Sequence, residues 1–160
     1  MKKFIKLFLI LGVITTSNLF GGLTSDPVKD NISYHSSLER DHLKDYDLNW
    51  LSYITAFQKS FKENSKKPLL VMVGATDCPY CDSAKVLMKK DNILKRYLSE
   101  NFHLVYLDQD VDFVPVDLIS KGTPAFWFTS EKGIPLRTVM YGLKNTKTLL
   151  MHAREVIEGM

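Results

Sequence analysis

The stretch that decides the fold is LLVMVGATDCPYC, residues 69–81. Its first five residues are all apolar, and an unbroken apolar run of this length predicts a strand covered on both faces, as in a parallel sheet. Its last four residues predict the start of a helix, because Pro79 can occupy the first helical position without losing a needed N–H group. A buried strand is therefore expected to lead into a helix with Cys78 at its N-terminus and Cys81 one turn further on.

The residues before this stretch predict a first helix. The apolar residues Trp50, Ile54, Phe57 and Phe61 recur at helical spacing, and the helix is expected to end near Asn64. Asp47 or Asn49 is the expected cap of the first turn.

The residues after it complete an α/β pattern. A helical stripe runs to about Leu98, with a kink expected near Asp91 and Asn92, and residues 102–107 form a second apolar strand. Strand, helix and strand within about 40 residues make a right-handed crossover unit. A strand at 125–129, a turn at 131–133, a strand at 134–141 and a last helix capped by Thr146 follow. The inward residues of that last helix are expected to be Leu149, Leu150, Ala153, Val156 and Ile157.

Composition indicates a single globular domain, since 45% of the 160 residues are hydrophobic and 24% are charged. The formal charge of +3 comes from 21 basic and 18 acidic residues. Three of the basic residues, Lys2, Lys3 and Lys6, precede the first acid, so the remainder of the chain is balanced in charge. A balanced chain without a basic cluster argues against a nucleic-acid partner.

The N-terminal residues have the order of a secretory signal peptide: lysines, a short apolar core, then small polar residues. We predict a signal peptide at 1–20, a polar linker or arm at 21–46 and the globular domain at 47–160. The apolar core is shorter than the roughly 20 residues of a membrane-spanning helix, although an uncleaved N-terminal anchor is the alternative. Export would place the domain in an oxidising compartment such as the periplasm.

The two cysteines, the only ones in the chain, carry the strongest functional signal. Cys78 at a helix N-terminus meets unpaired amides and the positive end of the helix dipole, which stabilise a thiolate and lower the pKa of the thiol. Cys81, one turn inside, can attack a mixed disulfide formed at Cys78 and release the product. The alternative, a purely structural disulfide, would close a very small loop and constrain the unfolded chain little.

From these residues the chain resembles the thioredoxin-like superfamily, and its Cys-Pro-Tyr-Cys tetrapeptide resembles that of glutaredoxins. Thr123-Pro124 directly before a predicted strand resembles the cis-proline motif of thioredoxin folds. The resemblance implies a mixed central sheet with helices on both faces, arranged as α, β-α-β, then β-β-α. It also implies that Pro124 is cis, that the Thr123 backbone pairs with substrate, and that Pro79 and Tyr80 belong to the substrate surface.

Three positions near the cysteines bear on how this site would differ from thioredoxin. Thioredoxin carries a buried acid six residues before its first cysteine, where this chain has Met72, and a tryptophan where this chain has Asp77. Asp77 is expected to act as a helix cap, the alternative being a charge that opposes the Cys78 thiolate. Lys85, one turn after Cys81, is expected to face solvent, the alternative being a group that tunes the thiols.

The resemblance implies an exported thiol:disulfide oxidoreductase, without cofactor or metal, that reduces protein disulfides through Cys78 and Cys81. Apocytochrome c and sulfur-oxidation proteins are candidate substrates, a membrane thiol transporter is the expected reductant in preference to glutathione, and the protein is expected to be a monomer. An oxidase or isomerase of folding proteins is the first alternative. The familiar periplasmic oxidases, however, carry a large helical insertion, for which residues 98–123 leave no room.

A non-enzymatic metal-binding module using the same cysteines is the alternative from another class. It would need about four ligands, and the four histidines are scattered along the chain. Asp108, Asp110 and Asp112 resemble the start of a calcium loop, but Phe113 and Ile119 occupy two of its key positions, so a solvated loop is expected there. The histidines are His35, His42, His103 and His152.

Overall fold

The computed structural model describes residues 48–62 and 66–160. The predicted signal peptide, the polar arm, His35, His42 and two expected boundary residues of the first helix, Asp47 and Asn64, lie outside these residues. Within the described part of the chain, no helix is long and apolar enough to cross a membrane.

Four helices and four strands make up the described chain. In order, they are α1 (Tyr53–Lys62), β1 (Leu69–Gly74), α2 (Pro79–Lys90), α3 (Asn92–Asn101), β2 (His103–Asp108), a short 3-10 turn (Val116–Leu118), β3 (Ala125–Thr129), β4 (Met140–Tyr141) and α4 (Thr146–Glu158).

The strands form one mixed sheet in the order β2-β1-β3-β4. β1 pairs with β2 in parallel and with β3 in antiparallel orientation, and β4 pairs antiparallel with β3. All six residues of β1 are buried, which confirms the prediction of a strand covered on both faces. The mixed α/β fold expected from the sequence is therefore the observed one.

Alternation of side chains along the strands divides the core into two layers. On one face Leu70, Met72, Tyr106, Phe126 and Phe128 pack against α2, α3 and α4. On the other face, the alternate residues of the same strands pack against Ala56 of α1 and against the 3-10 turn. These strand residues include Leu69, Val71, Val73, Val105 and Ala125. Helices thus cover both faces of the sheet.

The kink expected near Asp91 is a complete break between two helices. Asp91 ends α2 and caps α3, since its Oδ1 accepts the N–H groups of Ile93 and Leu94 at 3.0 Å each. The Leu94 amide and then the Thr146 hydroxyl hold the pKa of Asp91 below its usual value. The break lets α3 turn and pack along α4.

The first helix differs from the prediction at its start and in its buried face. It begins at Tyr53 rather than near Trp50, because Leu51 forms a strand-like bridge to Val105 and donates its N–H to the Leu104 carbonyl at 2.8 Å. Ser52, rather than Asp47 or Asn49, caps the first turn by accepting the Thr55 N–H. The buried residues of α1 are Ala56 and Ser60, whereas Ile54 and Phe61, which were expected in the apolar stripe, are exposed.

The C-terminal part differs in two details. The predicted strand at 134–141 is reduced to the two residues of β4 and a single bridge between Thr129 and Pro135, since a proline has no N–H group for the ladder. The cap of α4 is Asn145 rather than Thr146, and its side chain accepts the Thr148 N–H at 2.9 Å. The expected inward residues of α4 are buried or packed against the core.

Candidate active site

The two cysteines lie where the chain leaves β1 and enters α2. Cys78 is the N-cap of α2 in extended conformation, and Pro79 is the first helical residue, as predicted. The two sulfurs form a disulfide, with the Cα atoms 5.2 Å apart. Cys81 is 1% exposed, whereas Cys78 is only partly buried, so Cys78 is the more accessible of the two cysteines.

Two hydrogen-bond donors converge on the Cys78 sulfur. The Cys81 N–H lies 3.1 Å from Cys78 Sγ, and the Thr123 Oγ1 lies 3.5 Å from it. Once the disulfide is reduced, both donors and the N-terminus of α2 favour the thiolate over the thiol at Cys78. The arrangement therefore suits Cys78 as the attacking sulfur.

Thr123 reaches this position through the loop before β3. The Thr123–Pro124 peptide bond is cis, and Pro124 is buried. β4 and the residue after it hold the loop in place, because the Pro124 carbonyl accepts the Gly142 N–H at 2.8 Å and the Tyr141 hydroxyl accepts the Lys121 N–H at 3.3 Å. The structure thus brings Thr123 against Cys78 from 45 residues away in the chain.

The two residues between the cysteines lie at the surface. Pro79 is exposed, and the Tyr80 side chain is 77% exposed. An exposed aromatic ring two residues from Cys78 offers apolar contact area to a partner chain.

Asp77 is not the helix cap that was expected. Cys78 occupies that position, and Asp77 precedes it with a φ of 52° in the left-handed region. Aspartate is one of the few residues with a side chain that visit this region readily. Asp77 is exposed and directly precedes Cys78 in the chain.

The loop before Asp77 is tied to the end of β2 by carboxylates. Thr76 donates its N–H to Asp110 at 2.9 Å and its hydroxyl to Asp108 at 3.1 Å. Asp108 is buried rather than solvated as expected, and its own N–H is bound by Asp112 at 2.8 Å. These acids therefore position the loop that delivers Cys78. Among the described residues, no three His, Cys, Asp or Glu side chains are arranged to hold a metal ion.

The expectation of a solvent-facing Lys85 is wrong. Lys85 is 2% exposed, and its Nζ lies 3.3 Å from Asp82 Oδ1 and 4.4 Å from the centre of the Tyr106 ring. Helical spacing could have predicted the burial of Lys85, because positions 81, 84, 85 and 88 form one inward stripe of α2. Met72 is fully buried in the core, as an apolar residue should be.

Sequence reasoning also missed the aromatic pair beneath the site. The Tyr106 and Trp50 rings meet edge to face with centres 6.1 Å apart, and both pack in the buried cluster that contains Cys81. Tyr106 lies on a strand and Trp50 precedes α1, so no local pattern connects them.

The fold and this site define a protein of thioredoxin fold with a redox-type cysteine pair. A family model described as a thioredoxin-like domain matches residues 56–157. This match covers more than half of the chain, and the protein therefore belongs to the thioredoxin-like family.

Solved structures of the same fold include two with a clear overall match. One is "DsbH Oxidoreductase", with a TM-score of 0.54 and 17% identity over 68% of this chain and 83% of that one. The other is a thioredoxin from Thermus thermophilus, with a TM-score of 0.52 and 19% identity over 68% of this chain and 86% of that one. At these identities the likeness establishes the fold alone. No curated protein matches the chain significantly.

Proposed function

We propose that this protein is an exported thiol:disulfide oxidoreductase that reduces protein disulfides through Cys78 and Cys81. The observation that carries the proposal is the position of Cys78. It caps α2, remains partly exposed, and receives two hydrogen-bond donors at its sulfur, one of them from the distant Thr123. Membership of the thioredoxin-like family supports the same chemistry.

The reaction begins from the reduced pair. The Cys78 thiolate attacks one sulfur of a substrate disulfide, and the other substrate sulfur leaves as a thiolate that takes up a proton from solvent. Cys81 then attacks Cys78 in the mixed disulfide, so that the second substrate sulfur leaves and the Cys78–Cys81 disulfide forms. Two electrons pass to the substrate, and an external reductant must return them.

The substrate surface in this proposal consists of Thr123, Pro79 and Tyr80, and the buried Pro124 lies behind Thr123. Thr123 lies against the Cys78 sulfur, and Tyr80 is exposed two residues after Cys78, so an extended substrate chain would meet both. Main-chain pairing at Thr123 would hold that chain in the manner of an added strand.

The biological setting is proposed from the N-terminal sequence and the family. A signal peptide at 1–20 would deliver the protein to the periplasm, where a membrane thiol transporter would reduce it and apocytochrome c or sulfur-oxidation proteins would be its substrates. Determining the N-terminus of the protein purified from the periplasmic fraction tests the export step. An intact N-terminus in a membrane fraction would instead indicate the uncleaved anchor.

The activity is tested by trapping. Cys81→Ser should accumulate disulfide-linked substrate complexes on non-reducing gels, because its Cys78 forms mixed disulfides that nothing resolves. Cys78→Ser is the matched control and should accumulate none. Equal trapping by both variants, or by neither, would favour a structural cysteine pair or a binding module.

The direction of electron flow is tested by the reduction potential of the Cys78–Cys81 pair. A value near the roughly −270 mV of thioredoxin supports a reductase, and a value near −120 mV, typical of a strong oxidase, contradicts it. Between β2 and β3 the structure contains only the 3-10 turn as helix, which favours the reductase over an oxidase with a large helical insertion.

A further inference from the structure

The loop that connects β2 to β3 exposes several large apolar side chains. Phe113 is 84% exposed and Val116 is 79% exposed. Exposed apolar side chains that cluster mark interaction sites, whereas isolated ones are ordinary on a protein surface. The four exposed apolar residues of this loop are called the 111–119 surface below; they are Val111, Phe113, Val116 and Ile119.

Both ends of this loop are fixed near Cys78. At its start, Asp110 accepts the Thr76 N–H at 2.9 Å, and Thr76 is two residues before Cys78, a separation of at most about 7 Å between Cα atoms. At its end, Ile119 is four residues before Thr123, a separation of at most about 14 Å. The Thr123 hydroxyl lies 3.5 Å from Cys78 Sγ. The 111–119 surface therefore adjoins the proposed substrate surface.

A groove opens between this loop and the end of β1. It has a volume of about 390 Å³, and the residues that line it include the apolar Val114 and Ile119 and the acidic Asp110 and Asp112. A lysine or arginine side chain matches such a lining, because its aliphatic stem packs on apolar groups while its charged head stays near carboxylates and water.

The charge of the loop indicates the same kind of partner. Residues 108–120 contain four aspartates and no lysine, arginine or histidine, and Lys121 is the first basic residue after them. Asp110 and Asp117 are exposed, as is Asp77 directly before Cys78. Acidic side chains among exposed apolar ones are complementary to a partner that is both apolar and basic.

We propose that the 111–119 surface is the docking site for the protein substrate, and that it selects substrates with apolar and basic residues near the attacked cysteine. The inference rests on the proposed dithiol cycle and adds a substrate class to it. An extended chain advances about 3.3 Å per residue, so substrate residues about two to five positions from the attacked cysteine can reach this surface.

The substrate class is tested with peptides that carry one cysteine in a mixed disulfide with a coloured aromatic thiol. The Cys78 thiolate attacks the peptide sulfur, and the aromatic thiolate leaves because it is the better leaving group. Cys81 then attacks Cys78, which releases the peptide as a thiolate that takes up a proton from solvent. The rate of colour release is divided by the rate for the same peptide with dithiothreitol, which removes differences in intrinsic reactivity.

Three kinds of flank are compared, each placed before or after the cysteine: apolar with lysine, apolar with glutamate, and glycine with serine. On at least one side, the apolar-basic flank should give a normalised rate about tenfold above that of the glycine-serine flank. The apolar-acidic flank should be slower than the apolar-basic one, and salt should reduce the difference between them.

Variants of exposed residues test the apolar contribution with little risk to folding. Phe113→Ser and Val116→Ser should each lower the preference for the apolar-basic flank about three- to tenfold, because truncating a large interface residue costs about this much. Phe61→Ser is the matched control, since it truncates an exposed phenylalanine on α1 and should leave the preference unchanged.

The charge contribution has its own matched pair of variants. Asp117→Asn should lower the preference for the basic over the acidic flank about twofold at low salt. Glu158→Gln removes an exposed acid at the end of α4 and should not change it.

The occupant of the surface is identified in the Cys81→Ser protein, which holds a peptide at Cys78 as an unresolved mixed disulfide. A photo-reactive phenylalanine analogue at position 113 should cross-link to the apolar-basic flank of that peptide. A cross-link to residues 21–46 of the same chain, or to a second copy of the protein, would assign the surface to that occupant and overturn the inference.

The kinetic outcomes separate this inference from the proposed function. A wild-type protein that releases colour from none of the peptides would contradict the dithiol cycle itself. Equal normalised rates for all flanks, or equal losses of preference in Phe113→Ser and Phe61→Ser, would contradict only the docking site.

Discussion

Replacing Thr123 by valine removes one of the two donors at the Cys78 sulfur while keeping the shape of the side chain. The Thr123 hydroxyl lies 3.5 Å from Cys78 Sγ, and the remaining donor is the Cys81 N–H at 3.1 Å. Because a hydrogen bond to the charged form favours that form, its loss should raise the pKa of Cys78 in the reduced protein.

The size of the change follows from the strength of such a bond. Hydrogen bonds to charged groups contribute about 1.5–3 kcal/mol, and one pKa unit corresponds to about 1.36 kcal/mol. The contact between the Thr123 hydroxyl and the Cys78 sulfur is long, and Thr123 is only partly buried, which favours the lower end of that range. We expect an increase of about one unit, or about tenfold less thiolate below the pKa.

The assay is the pH profile of alkylation in a Cys81→Ser background, where Cys78 is the single thiol. Thr123→Ser is the matched control, since it keeps the hydroxyl and should stay within a few tenths of a unit of the parent. Thr123→Val with an unchanged pKa at Cys78 and an unchanged melting temperature would refute the reasoning. An equal shift in Thr123→Ser would assign the effect to packing instead.

Three further predictions concern charge, packing and capping around this site. Asp77→Asn keeps a residue that tolerates positive φ and removes a negative charge beside Cys78, so alkylation should show a pKa lower by a few tenths of a unit at low salt, an effect that salt removes. Gly74→Ala should cost about 1–3 kcal/mol in urea denaturation, because its Cβ would overlap the buried tyrosine ring of β2, whereas Gly122→Ala, with open space, should cost less than about 0.5 kcal/mol. Asp91→Ala should lose about 1 kcal/mol of stability at neutral pH because the cap of α3 is removed, and Asp91→Asn should lose only part of it. The pKa of Asp91 is lowered in the folded protein, so the stability that the wild-type carboxylate adds should be complete above the usual pKa of 3.8. It should be lost as the pH falls through the lowered, folded-state pKa.

The local features of the central stretch were predictable because each depends on neighbouring residues. The apolar run of β1 can be satisfied only in the interior of a sheet, and Pro79 starts α2 because it needs no N–H partner. The positions of the two cysteines, one at the N-terminus of α2 and one a turn further on, follow from their spacing on that helix. The approach of Thr123 to Cys78 was an implication of the family resemblance, since no local rule connects residues 45 positions apart.

Predictions of exposure failed where a residue's environment comes from another element. Lys85 looked like a surface lysine, yet the Tyr106 ring from β2 covers it. α1 begins at Tyr53 and not near Trp50 as predicted, because Leu51 pairs with β2. The hydrogen bond to a distant strand outweighs the helical pattern of the local sequence.

By itself, the sequence determined the strand-to-helix junction, the pair of cysteines on it and the order of helices and strands around them. These depend on hydrophobic period, proline geometry and helix spacing, which act over a few residues. The tertiary structure alone decided that a threonine hydroxyl from a distant loop lies against the Cys78 sulfur and that Lys85 is buried under the Tyr106 ring. Charge and hydrogen bonding act through space, so they depend on the packing of the sheet against α2 and not on the order of residues along the chain.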